Sequence, residues 1–253
     1  MKVKVIASGS KGNCTLVVCS QLRFLIDVGV SYSYLVKELD LLQLRPTDID
    51  KVFITHVHSD HVRGLKTFLK KTGLKASIPL SMKEEMLEIV EEEYLEYIEE
   101  HEDFVGLQVD LIHTSHDTSC SVGFLMQSDG SSLVYITDTG YINQRYLKRI
   151  KNKSIYILES NHDEQMLMEG PYPFSLKQRI LSDSGHLSNK MAAKYLSMLV
   201  GEDTRYIVLA HLSEKNNTED LAMKEAKERL NAVCFEGKIF IARQDDPLEL
   251  LEV

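Results

Sequence analysis

The sequence predicts an α/β (α+β) fold of layered sheets and helices, and three observations carry that expectation. Short β-branched runs recur along the whole chain, helical patterns lie between many of them, and "SDGSS" at 128–132 places an Asp-Gly hairpin signal between two adjacent runs.

The predicted strands are, in order, "KVKVIA", "TLVVCS", "RFLID", "KVFIT", "VDLIHT", "VGFLMQS", "SLVYITD", "SIYILES", "RYIVLA" and "KIFIA". The predicted helices cover roughly 32–42, 61–72, 82–101, 175–182, 189–200 and 218–231. In the third of these, Met86, Ile89, Val90, Tyr94, Tyr97 and Ile98 recur at steps of three and four, as on an amphipathic helix. No Pro/Gly/Ser-rich linker, low-complexity tract or short-period repeat divides the 253 residues, so a single domain over 1–253 is expected.

An apolar content of 43% with 26% charge is that of an ordinary globular chain. The first strand runs into a glycine turn without an apolar leader, and nowhere do about 18 apolar residues run together, so a cytoplasmic protein without membrane contact is expected. The formal charge of −9 comes from one place: residues 83–103 hold eleven acids and one lysine. The rest of the chain is near neutral, and the charge of any functional face has to be judged locally. The expected role of 83–103 is a solvated acidic helix face, with a partner-binding helix as the alternative. Cys14, Cys19, Cys120 and Cys234 show no C-x-x-C spacing, so a metal site must use nitrogen and oxygen donors.

Such donors crowd into "KVFITHVHSDH". His56 and His58 are two apart, and an extended backbone points both the same way, while Asp60 and His61 follow on the turn into a helix. Imidazole with carboxylate suits zinc or manganese, with iron as a further option, and is typical of hydrolytic sites. Further apolar runs end in His116, Asp138 and His211, which share one rim if their strands share a direction. A carboxylate such as Asp138 can bridge two cations about 3.5–4 Å apart, as two-metal hydrolysis requires. The plainer alternatives are a histidine-rich surface turn and capped strand ends.

The series "LIDVG", "THVHSDH", "SHD", "TDTG" and "AHLS", between Ser8 and about Asn217, resembles the metallo-β-lactamase fold superfamily. The resemblance implies a four-layer αββα sandwich of two mixed sheets, with helices on the outer faces and a dinuclear site on one edge. It further implies that His56, His58 and His116 bind one divalent ion, that Asp60, His61 and His211 bind a second, that Asp138 bridges them, and that Asp27 orients the ligands from behind. More narrowly, "SGSKGNC", "TDTGY", "ESNHD", "YPFSLKQRILSDSGHLSN" and "HLSEKNN" resemble the bacterial YycJ/WalJ group, described as 5′→3′ exonucleases on DNA.

Departures from the wider superfamily narrow the expectation. Asp138 stands where lactamases often carry cysteine, and His58 where flavodiiron relatives carry glutamate. Only 21 residues separate His116 from Asp138, leaving no room for a tRNA-gripping arm. The 72 between Asp138 and His211 are too few for an inserted β-CASP domain. The expected substrate is DNA, with RNA as the other polymer. Asp60 is the expected group that also aligns the attacking water. His186 in "SDSGHLSN" is the expected general acid or phosphate clamp, resembling the histidine before the last RNase Z motif. Alternatively "GHLSN" is a turn in which Ser188 caps the following helix.

Weaker expectations attach to three other segments. Ser10, Lys11 and Asn13 in "SGSKGN" can offer a phosphate nest or form a bare turn. Asn161, His162 and Asp163 can reach the rim, with Asn161 as a helix cap the competing reading. Arg145, Lys148, Arg149, Lys151 and Lys153, interleaved with Tyr146, can track a DNA backbone or form a solvated helix face. Two other functions remain beside the nuclease: a hydrolase of lactones or thioesters, and a metal-stabilised binding protein without turnover.

Overall fold

The computed structural model describes residues 1–20 and 22–253. Its strands form two seven-stranded sheets. The first contains β1 (Lys2–Ala7), β2 (Cys14–Cys19), β3 (Leu22–Ile26), β4 (Lys51–Phe53), β5 (Ala76–Pro79) and β6 (Leu95–Ile98). The second contains β7 (His101–Phe104), β8 (Leu107–His113), β9 (Val122–Ser128), β10 (Ser131–Ile136), β11 (Ile155–Glu159), β12 (Tyr206–Ala210) and β13 (Lys238–Ile241). A last strand, β14 (Leu251–Glu252), returns to pair with β1 in the first sheet. The helices are α1 (Tyr32–Leu41), α2 (Ser59–Val62), α3 (Leu65–Thr72), α4 (Lys83–Leu87), α5 (Gln144–Ile150), α6 (Glu164–Glu169), α7 (Phe174–Ile180), α8 (Asn189–Leu199) and α9 (Glu219–Asn231).

Alternation along the strands builds the layers. In β10, Leu133 and Tyr135 face the core between the sheets, while Val134 and Ile136 face the layer of α5, α8 and α9; β11 and β12 alternate in the same way. Between the sheets Phe53 meets Phe24, Phe104 and Phe124 at ring-centroid distances of 5.4, 5.8 and 5.7 Å. Leu35 and Leu39 of α1 and Leu65, Phe68 and Leu69 of α3 are buried in the same cluster as the first sheet. The result is a four-layer sandwich of two mixed sheets. The expected hairpin is present: Ser128 pairs with Ser131, and Asp129 and Gly130 turn with φ of 49° and 78°.

The long acidic helix expected over 82–101 is not there. Helix α4 ends at Leu87, and the rest becomes β6 and β7, which join the two sheets. Strand β6 pairs in parallel with β5 from Leu95 to Ile98, so a spacing that also fits a helical face is used by a strand, which buries Leu95 and Ile98. The expected helix over 61–72 is divided at Gly64 between α2 and α3. Sequence reading also passed over β5 and β14, and offered α5 and the helix after Asn161, α6, only as alternatives. No helix of the described residues is long and apolar enough to cross a membrane.

Candidate metal centre

Strands β10, β11 and β12 are mutually parallel, and β8 runs with them because two antiparallel pairings separate it from β10. Their carboxyl ends therefore meet at one edge. His116 lies in the loop after β8, Asp138 after β10, and His211 directly after β12. From the first sheet, Asp27 follows β3, and the turn after β4 delivers His56, His58, Asp60 and His61. Asp27, Asp138 and His211 have φ of 61°, 55° and 56°, a left-handed corner that bends each side chain out of its strand. The loop of His116 is tied to that of Asp138, since Ser115 N–H donates to Thr139 Oγ1 at 3.0 Å and Gly140 N–H donates to the Ser115 carbonyl at 3.1 Å.

Buried carboxylates fix which ring nitrogens are free. Asp27 accepts from Thr55 N–H at 2.8 Å and from the Thr55 hydroxyl at 2.9 Å, and it holds His61 Nδ1 at 2.7 Å. Thr55 Oγ1 also lies 3.1 Å from His56 Nδ1. Protons at these Nδ1 atoms leave Nε2 of His56 and His61 as the nitrogens that face the centre. His56 Nε2 and Asp138 Oδ2 are buried without a hydrogen-bond partner among the described residues.

Four sets of donor atoms converge to within 4.8 Å of one another: His56 with His58 and His116; Asp60 with His61 and His211; His56 with His61 and Asp138; and Asp138 with Glu159, His186 and His211. His58 Nδ1 stands 3.2 Å from His116 Nε2, and His61 Nε2 stands 3.2 Å from Asp138 Oδ2. His211 Nε2 lies 3.4 Å from Asp60 Oδ2 and 3.5 Å from Asp138 Oδ1. Two ligands about 2.0–2.1 Å from a tetrahedral cation stand ~3.3 Å apart, so these gaps and the unpartnered lone pairs suit divalent ions.

Burial opposes charge at each group, and the neighbours decide the outcome. Burial raises Asp60 and Asp138, but His211 and His61 draw both carboxyls below the usual range. Burial lowers His211, yet Asp138, Asp60 and Glu159 lift it to about 10. His61 is lifted well above its ordinary value by Asp27 and Asp138 against its burial, whereas burial leaves His56 and His116 depressed. Protons on His61 and His211 thus balance the carboxylates where cations would otherwise do so.

His186 reaches the same edge, with Nδ1 2.6 Å from Glu159 Oε1 and its ring 5.1 Å from that of His116. Ser188 also caps α8, its hydroxyl accepting from Met191 N–H. Glu159 was missed in the sequence. It is fully buried, holds His186 and, at 3.2 Å, His211 Nδ1 through Oε1, and accepts Thr139 and Leu187 N–H through Oε2. Its one sequence cue is that it ends an apolar run as Asp138 follows one, which by itself shows neither its burial nor its partners. Asp117, also passed over, pairs with Arg179 at the mouth of the site.

The weaker expectations divide. Asn13 Nδ2 lies 3.1 Å from Asp60 Oδ2, within the centre. Ser10 lines the adjoining cavity, but Lys11 is paired with Glu214 at 2.5 Å. Asn161 lines that cavity and donates to the His211 carbonyl at 2.9 Å. It is not the cap of α6, which is Asp163. His162 is not brought to the rim: it is buried, with both ring nitrogens unpartnered among the described residues. Arg145 and Arg149 pack on Tyr146, Arg149 is also paired with Asp110, and Lys153 turns towards Gln127, so the basic run does not form one free face.

Residues 22–212 match the family model described as Beta-lactamase superfamily domain, and the chain belongs to that superfamily. Its fold is that of the metallo-β-lactamases: the YhfI protein of Bacillus subtilis superposes with a TM-score of 0.73 at 18% identity, covering 98% of this chain and 99% of that one. More particularly, the chain is 34% identical to Exodeoxyribonuclease WalJ of Streptococcus pneumoniae, over 100% of its own length and 98% of the relative's. It is 32% identical to Exodeoxyribonuclease YycJ of Bacillus anthracis, over 96% and 94%.

Proposed function

We propose that the protein is a dinuclear metal-dependent phosphodiesterase, acting as a 5′→3′ DNA exonuclease in one domain over 1–253. The observation that carries the reading is the place of Asp138 between a three-histidine set and an Asp60–His61–His211 set: it converges with His56 and His61 on one side and with His211 on the other, and its Oδ1 lies 3.8 Å from His116 Nε2 and 3.5 Å from His211 Nε2. His56, His58 and His116 would hold one ion, Asp60, His61 and His211 the other, and Asp138 both; zinc or manganese suits the donors, with iron a further option. Such ions, when bound, supply hydroxide near neutral pH and neutralise charge on the phosphodiester.

The remaining steps belong to side chains. Asp27 and Glu159 hold the rings of His61 and His211, Asp60 aligns the nucleophile, and His186 delivers a proton to the leaving 3′-oxygen. With Nδ1 engaged by Glu159, Nε2 of His186 is the nitrogen available for that transfer. Similarity to two exodeoxyribonucleases over nearly the full chain supports DNA as the substrate. The cations Arg179 and Lys215 at this mouth suit a charged phosphodiester better than an uncharged lactone or thioester. A non-catalytic site needs only four closed ligands, fewer than converge here. All four cysteines are free, in keeping with a reducing cytoplasm.

The test is a metal-supplemented assay of the pure protein on end-labelled single- and double-stranded DNA and RNA. Release of mononucleotides from the 5′ end of DNA is expected. Turnover of RNA alone, or of no polymer, would overturn the reading.

A further inference from the structure

Beside the donor cluster lies a cavity of about 390 Å³ with His116, His186 and His211 among its lining residues. Its apolar lining is formed by Tyr172 together with Leu176 and Ile180 of α7. Tyr172 stands between Pro171 and Pro173, whose rings restrict the backbone on both sides, and Pro173 starts α7. The phenol is thus presented by stiff chain. Lys215 Nζ lies 5.7 Å from the centroid of the Tyr172 ring and makes no ion pair among the described residues. The neighbouring cations differ, since Lys11 is paired with Glu214 and Arg179 with Asp117. Lys215 is therefore the cation at this mouth that is ready for an anion.

We infer that this cavity is a subsite for a single nucleotide, with its base against Tyr172 and Leu176, its 5′-phosphate at Lys215 and its 3′-oxygen towards His186. The inference rests on the phosphodiesterase reading and specifies its substrate. Sites for small molecules begin at roughly 300 Å³, so this cavity takes one nucleotide-sized group and leaves little room for a second. A cut made with one nucleotide in the cavity releases a mononucleotide, which is the product of exonucleolytic action. The aromatic wall tolerates any base, because every base has a π-face.

Calorimetric titration of the metal-loaded protein with dTMP, thymidine and inorganic phosphate tests this without turnover. Binding of dTMP should be tighter than that of either fragment by roughly tenfold or more. Tyr172→Ala should remove the advantage of dTMP over inorganic phosphate, and Tyr172→Phe, which keeps the ring, should retain it. Lys215→Ala should weaken dTMP several-fold while inorganic phosphate, which can reach the metals directly, titrates as before. Binding of dTMP no tighter than that of inorganic phosphate, or undiminished by Tyr172→Ala, overturns the inference. If DNA is cleaved and dTMP shows no advantage, the pocket assignment alone falls. If dTMP binds in the expected pattern and no DNA is cleaved, the nuclease reading falls and the pocket stands.

Discussion

His186→Ala separates proton delivery from metal binding. The side chain is 20% exposed, and its Nδ1 lies 2.6 Å from Glu159 Oε1 but 3.7 Å from Asp138 Oδ1. Burial disfavours its charge, yet Glu159 raises its pKa above the ordinary value, which favours the acid form. General acid catalysis contributes about 10²–10⁴ in rate, equivalent to ~2.7–5.4 kcal/mol of transition-state stabilisation. The variant should keep its metals, because Asp60, His61, Asp138 and His211 are untouched. Glu159 retains His211 Nδ1 at 3.2 Å and two backbone N–H donors, so the stability loss should stay within about 1–3 kcal/mol. Elemental analysis and steady-state kinetics on DNA and on bis-p-nitrophenyl phosphate read the outcome. On DNA kcat should fall by the full factor, and on the aryl ester by much less, because that leaving group needs little protonation. His211→Ala should lower metal content and slow both substrates alike. If His186→Ala depletes metal as His211→Ala does, ligand and acid have been interchanged; if it changes neither metal content nor DNA cleavage, the histidine belongs only to the turn before α8.

Four further outcomes are expected. The isolated protein should carry two transition-metal ions per chain, and Asp60→Ala or Asp138→Ala should remove at least one without unfolding it; absence of metal after reconstitution would refute this. Bis-aryl phosphodiesters should be hydrolysed faster than homoserine lactones, thioesters or β-lactams, and the reverse ranking would favour the small-molecule hydrolase. Metal binding should release protons, because His61 and His211 are raised in the ion-free centre and must lose theirs to coordinate, so affinity should go on rising with pH up to about 10, where His211 loses its proton; calorimetric heats independent of buffer ionisation would contradict it. In metal-free protein His211→Gly should be more stable than His211→Ala by about 0.5–1 kcal/mol, since position 211 has φ of 56°, and equal urea midpoints would show that the corner stores no strain.

The clustered donor residues were legible because each follows an apolar run closely, and parallel strand ends share an edge whatever the details of packing. Glu159 was not, because its importance comes from His186 and His211, 27 and 52 positions away, and from complete burial that no local pattern reveals. The acidic segment misled for a different reason. Met86, Val90, Leu95 and Ile98 are all buried, but two short elements bury them, and the pairing of β6 with β5 overrides a helical spacing. Strand β5 is four residues long and ends in Pro79, too short a run to stand out before its partners are known.

The two sheets also repeat each other at long range, and that repeat accounts for the position of the site. Each passes from three antiparallel pairings to three parallel ones, at β3 in the first sheet and at β10 in the second. Each pivot strand is followed by Asp-x-Gly, Asp27 to Gly29 and Asp138 to Gly140, with the aspartate in the left-handed region. Both glycines are required by close backbone approach, since a Cβ at Gly29 would lie 1.6 Å from the Asp60 carbonyl oxygen and one at Gly140 would lie 2.2 Å from that of Asp183. From this common frame the two aspartates part. Asp27 is sealed beneath Thr55 and His61, whereas Asp138 stands among the histidines. The orienting task that Asp27 performs in the first sheet falls in the second to Glu159, one strand further on. The first half thus supplies His56, His58, Asp60 and His61 and the second His116, Asp138, His186 and His211, and neither sheet alone assembles the cluster.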